Sequence, residues 1–135
     1  MAITQAMCTS FKSELLNKEH DMDTDTFKIA LFTSSATLSE ATTNYAVTNE
    51  ISGTGYTAGG VALTGAAIAT SGTTVFVDFA DPSWTTASFT CRGALIYNTS
   101  ATIGTEAVIV LDFGGDFTVS SGTFTITFPA ADATN

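Results

Sequence analysis

The sequence predicts a mainly β fold, an antiparallel β-sandwich carrying one N-terminal amphipathic helix. Three observations predict it. The apolar period changes from about 3.6 residues to 2 near residue 27. Beyond that point about six or seven short apolar runs alternate with polar residues, separated by Gly, Ser, Asn and Asp turns. The chain is also rich in threonine, whose branched Cβ suits a pleated surface. At 135 residues the chain has the length of one domain. The expected layout is therefore a single domain over 1–135, with the helix at 3–16 and the sandwich at 27–128.

Each element follows from its pattern. Ile3, Met7, Phe11 and Leu15 recur every four residues with Ala6 and Cys8 beside them, while Gln5, Lys12, Ser13 and Glu14 lie off that stripe. Thr4 is placed to cap such a helix. Phe27, Ile29 and Leu31 open the first strand. Val61 and Leu63, with Ile68 beyond, continue the pattern after a glycine-rich entry. Val75, Val77 and Phe79 alternate next, then Phe89, Cys91, Gly93, Leu95 and Tyr97. The run AVIVLDF over 107–113 reads as a central strand, since both of its faces are apolar. Phe124, Ile126 and Phe128 alternate with threonines at the end. Gly114 and Gly115, between Asp112 and Asp116, read as a hairpin turn separating these last two strands.

Composition bounds the function. Hydrophobic residues are 44 % and charged residues 13 %, about half the usual charge, so the chain has material for a core and is not disordered. Its ten phenylalanines supply the largest pieces. No apolar run approaches the roughly 20 residues of a membrane helix. The opening residues lack the basic and apolar regions of a signal peptide, so synthesis in the cytoplasm is expected. Thirteen acids against four bases give a net charge of −9, and Lys12, Lys18, Lys28 and Arg92 form no cluster. Neither nucleic acid nor a membrane is an expected partner. Cys8 and Cys91 show no metal or redox spacing. One disulfide is arithmetically possible, and two buried thiols in a reducing compartment are favoured.

The residues that could carry chemistry form no complete site. Asp21, Asp23 and Asp25 resemble the opening of a calcium loop, but Thr26 and Phe32 stand where such a loop needs Gly and Glu. A solvated acidic linker is the expectation. His20, the sole histidine, reads as an exposed loop residue, because neighbours in a linker do not fix a base against a nucleophile. No serine occupies a GxSxG elbow. Gly53, Gly55, Gly59 and Gly60 lack the lysine and following helix of a phosphate cradle, so positive-φ turns and close backbone approach are expected there. Trp84, after the turn Asp81-Pro82-Ser83, reads as a core or rim residue rather than a sugar platform. No catalytic residue, cofactor or metal is expected.

Several stretches in order nonetheless carry a resemblance across nearly the whole chain. MAITQAMCTSFKSELL, FKIALFTSSATLSEATTNY, NEISGTGYTAGG and DFGGDFTVSSGTFTITF are together similar to a family of small virion structural proteins of tailed bacteriophages. That family is associated with capsid decoration, or cement, and also with tail and fibre components. The resemblance implies a β-rich, non-enzymatic protein on the capsid exterior, with the major capsid protein as partner. A homo-oligomer is expected there, a trimer on local three-fold positions being the form a symmetric shell suggests. The alternative is a tail or fibre adhesin that binds a host surface glycan. An acidic chain fits the outside of a DNA-filled shell better than its inside. The amino-terminal arm and the long threonine-rich loop 33–60 are the nominated contacts.

Overall fold

The computed structural model describes residues 2–100 and 104–129. The fold is mainly β and antiparallel, with one short helix near the amino terminus. The elements are β1 (Ala6–Met7), α1 (Thr9–Leu16), β2 (Phe27–Phe32), β3 (Val61–Ala62), β4 (Ala67–Ser71), β5 (Thr74–Asp78), β6 (Ser83–Asn98) and β7 (Ala107–Thr125). Five of the strands form one sheet in the order β1-β7-β6-β2-β3, and β4 and β5 form a separate two-stranded sheet.

The helix spans eight residues, Thr9–Leu16, and not the expected 3–16. Residues before Cys8 run extended, because the chain already has open strand edges that take their backbone groups. Ala6 and Met7 pair with Val110 and Ile109 of β7, Thr4 N–H donates to the Leu38 carbonyl at 2.9 Å, and Cys8 N–H donates to Val108 at 2.9 Å. A short isolated helix is marginal in water, so edge pairing wins over it. Cys8, not Thr4, stands at the helix start, and it makes no side-chain cap. Of the expected apolar positions Ile3, Cys8 and Phe11 are buried, whereas Met7 and Leu15 are exposed. At the far end Lys18 takes φ +65 while Lys18 N–H donates to Leu15 and Glu19 N–H to Glu14. This is a Schellman closure without glycine, and it turns the chain back toward the sheet.

The last two expected strands are one. β7 passes through Gly114 and Gly115 without a hairpin and stays paired with β6 on both sides of them. Gly93 faces Asp112 and Cys91 faces Phe117, so Phe113 to Asp116 stand opposite Arg92 alone. Asp112 Oδ1 accepts the Gly114 N–H at 2.9 Å, Gly114 adopts φ +77, and Arg92 Nε donates to Asp116 at 2.8 Å. Asp-Phe-Gly-Gly therefore makes a large bulge rather than a turn; both use the same left-handed backbone. Phe124, Ile126 and Phe128 do alternate as expected, being partly buried between exposed threonines.

The core lies where β2 meets the inner half of β6 and β7. Phe27, Ile29, Leu31, Leu95 and Val110 are fully buried there. Successive strand residues point to opposite faces, so adjacent residues of β6 report on the two sides of the sheet. Tyr97 meets the loop 33–60, its ring stacked on Tyr45 at 4.5 Å. Ile96 points the other way, into an apolar cleft. The loop is tucked onto its own sheet by buried Ala36, Leu38 and Ile51. Its glycines meet the expectation placed on them: Gly53, Gly55, Gly59 and Gly60 all have positive φ. At Gly60 the backbone passes so near β2 that any Cβ would run into the Ile29 carbonyl.

Candidate interaction surface and the buried polar clusters

His20 is buried, which corrects the expected exposed loop histidine. The turn after α1 drives its ring between Phe11, at 4.9 Å, and Phe27, at 6.5 Å. Its side chain has no solvent exposure, and Nε2 lies 2.9 Å from Glu14 Oε2. Asn98 uses its amide hydrogens on His20 Nδ1 at 2.9 Å and Asp25 Oδ2 at 2.6 Å, and its oxygen accepts Ser100 N–H at 2.7 Å. With Nδ1 accepting, the ring proton sits on Nε2 and is donated to Glu14. The cluster thus ties helix, linker and strand end together. A general base must reach the proton it takes, and this ring reaches only its own chain.

The three linker aspartates do not converge. Asp21 Oδ1 accepts the Asp23 and Thr24 N–H groups, contacts that hold its carboxyl below the usual carboxylate range. Asp25 turns inward to Asn98 and also accepts Asp21 N–H at 2.9 Å. Among the described residues no three His, Cys, Asp or Glu side chains gather as metal ligands. Cys8 and Cys91 are separate, buried free thiols. Burial first, and then nearby acids (Glu14 and Asp116 respectively), push them up to about 11 and about 12. Thiols held so far from the thiolate are poor nucleophiles. Trp84 is buried as expected, against Phe124 at 5.8 Å and Phe89 at 6.4 Å.

A second polar cluster was not anticipated from the sequence. Glu50 accepts hydrogen bonds from Tyr45 Oη at 2.6 Å, Tyr56 Oη at 2.5 Å and Gly59 N–H at 2.7 Å. Tyr56 Oη in turn accepts Leu31 N–H at 2.9 Å, and Tyr97 donates to the Gly59 carbonyl at 2.6 Å. Loop, β2 and β6 are joined through one carboxylate. Burial, and then the Glu50 bond and charge, raise Tyr45 and Tyr56 well above the ordinary phenol value. Burial and the Glu50 charge lift Tyr97 to about 12. These phenols stay protonated at neutral pH and serve as donors. The one signal in the sequence that points to them is a single acid, Glu50, between Tyr45 and Tyr56.

The surface left uncovered lies on the opposite face of the sheet. No residue of β4 is buried, and none of β5. Ile68 pairs with Val77, and Thr70 with Val75, so Ile68, Val75 and Val77 share one face. They are 52 %, 67 % and 38 % exposed. At the foot of this hairpin lies an apolar cleft of about 390 Å³, walled by Phe76 and Val77 and lined also by Met7, Ile109, Leu111 and Phe128. Between Glu50 and Asp78 the chain carries no Asp, Glu, Lys or Arg at all. A two-stranded sheet alone is marginal in water, and this one carries a single charged side chain, Asp78 at the end of β5. The fold and site therefore describe an antiparallel β protein with an exposed apolar surface. Comparison with known protein families, with characterised proteins and with solved structures returns no match.

Proposed function

We propose that this chain is a bacteriophage virion protein that decorates the capsid exterior. In this reading it binds across major capsid protein subunits and strengthens the shell without chemistry of its own. The observation that carries the reading is the uncovered apolar hairpin and cleft on a chain whose polar clusters are turned inward. The sequence resemblance to small virion proteins supplies the setting. A protein that binds only the assembled shell stabilises it by mass action, and many copies acting together resist internal pressure. An uncharged binding face also avoids the cost of desolvating charges on contact. Copy number per virion tests this: decoration requires copies on the scale of the capsid subunits, whereas a tail part is present as a few.

One observation favours the alternative of a tail or fibre adhesin. Phe117 is 51 % exposed and stands edge-on to Phe113 at 6.1 Å, and an exposed ring is able to stack on a sugar. Glycan-array binding that is lost in Phe117→Ala, together with low copy number, would select that reading instead.

A further inference from the structure

We infer that Tyr45 and Tyr97 are an oxidation site, which a one-electron oxidant joins as dityrosine while Glu50 takes the phenol proton. The cross-link staples the loop 33–60 to β6. The site belongs to the chain alone, whatever its station.

The chain has three tyrosines, Tyr45, Tyr56 and Tyr97, and all three gather around Glu50. Two of them are placed to couple. The rings of Tyr45 and Tyr97 lie 4.5 Å apart between centroids and 12° from parallel. Their hydroxyls end at the same residue. Tyr97 donates to the Gly59 carbonyl, and Tyr45 donates to Glu50, which also holds the Gly59 N–H. Stacked this way, the carbons beside each hydroxyl face the other ring, and those are the carbons at which an oxidised phenol couples. Tyr56 lacks such a neighbour, since the rings against it are Trp84 at 6.4 Å and Phe89 at 5.9 Å. Tyr45 is half-buried and Tyr97 is buried, so Tyr45 is the ring that an oxidant in solution reaches.

Removing an electron from a phenol makes its proton strongly acidic, so a base must stand ready for it. Glu50 does so at 2.6 Å from Tyr45 Oη, within the reach that proton transfer needs. The first oxidising equivalent takes an electron from Tyr45, and its phenol proton passes to Glu50 and on to water. The Tyr45 radical then bonds through a ring carbon to the ring of Tyr97. A second equivalent takes an electron from this adduct, and the displaced ring proton of Tyr97 leaves to water. The displaced ring hydrogen of Tyr45 moves to its oxygen and restores the phenol. Two C–H bonds are lost and one C–C bond is gained, with two electrons passed to the oxidant. The rings must tilt to bond, and Tyr45 can follow because it rides on the loop 33–60 rather than within a strand.

Photo-oxidation of the purified chain by tris(bipyridine)ruthenium(III), made with light and persulfate, tests the inference. The product should keep the single-chain mass of 13.9 kDa less two hydrogens and show dityrosine fluorescence. Proteolysis should yield one cross-linked peptide pair, bearing Tyr45 and Tyr97. The urea midpoint of the product should exceed that of the untreated protein, because a bond closing residues 45 to 97 restricts the unfolded chain. Treatment in urea should not favour this pair, and Tyr45→Phe should form no link within one chain. Tyrosines left intact, a link that joins Tyr56 or two separate chains, or an unraised midpoint overturns the inference. Equal yield of the Tyr45–Tyr97 pair from the unfolded chain does so too. Should Tyr45→Phe not fold, the peptide map of the unmodified protein decides alone.

Discussion

Asn98 and His20, 78 positions apart, are joined by a 2.9 Å hydrogen bond from the amide nitrogen to Nδ1. Asn98→Leu removes that donor and leaves the buried His20 Nδ1 unpaired, while Asp25 Oδ2 keeps the Asp21 N–H and the exposed Ser100 N–H can turn to water. Each buried group left unpaired costs about 1–3 kcal/mol. The urea midpoint should therefore fall by that order of energy with the slope unchanged. An Asn98→Leu protein that unfolds at the same urea concentration would show that the cluster contributes nothing.

Stability should decline on the alkaline side. The thiols of Cys8 and Cys91 rise from an ordinary 9.0 to about 11 and about 12, and Tyr97 rises from 10.0 to about 12, with Tyr45 and Tyr56 also raised. In each the folded chain holds its proton longer than the unfolded chain. The stability these groups contribute is complete below about pH 9 and is lost as pH rises through the folded values, since the unfolded state then binds fewer protons. Urea midpoints at about pH 10.5 should lie below those at about pH 8. Equal midpoints would contradict the burial of these groups.

Glu50→Gln keeps the side chain's shape but turns an amide N–H₂ toward a donor. The loop 33–60 should then loosen where Glu50 anchors it. Its readout is the Ile51 amide, which bonds to the Leu31 carbonyl at 3.0 Å. Hydrogen exchange at Ile51 should quicken at least tenfold, about 1.4 kcal/mol of local opening energy. Unchanged exchange would show that the tyrosine bonds do not hold the loop.

Gly60→Ala and Gly72→Ala separate crowding from backbone strain. Both positions have positive φ, +76 and +60, which costs a non-glycine residue roughly 1–2 kcal/mol. At Gly60 the new methyl also strikes the Ile29 carbonyl, whereas nothing lies within 4 Å at Gly72. Thermal unfolding should drop further for Gly60→Ala. Equal drops would mean that β2 and the loop are not in contact there.

Much of this fold is legible in the sequence because strand alternation is a local signal. Phe27 to Leu31 and Leu95 to Tyr97 announce their strand directly. Ile3 and Met7 fit a helical stripe equally well, and only the distant edges of β7 and Leu38 decide against it. Asp112-Phe-Gly-Gly looks like a turn because bulge and turn need the same backbone. Burial of His20 depends on Asn98, which no window around residue 20 contains. The uncovered hairpin leaves a trace in the missing charges between Glu50 and Asp78, but which strand pairs stay bare follows only from the topology.

Heating particles made with and without this chain tests the central claim most directly. Both kinds should package DNA, and those lacking the chain should release it at a lower temperature, with added purified protein restoring the difference. Release at the same temperature from both, with only the complete particles attaching to cells, would contradict capsid decoration and leave the adhesin in its place.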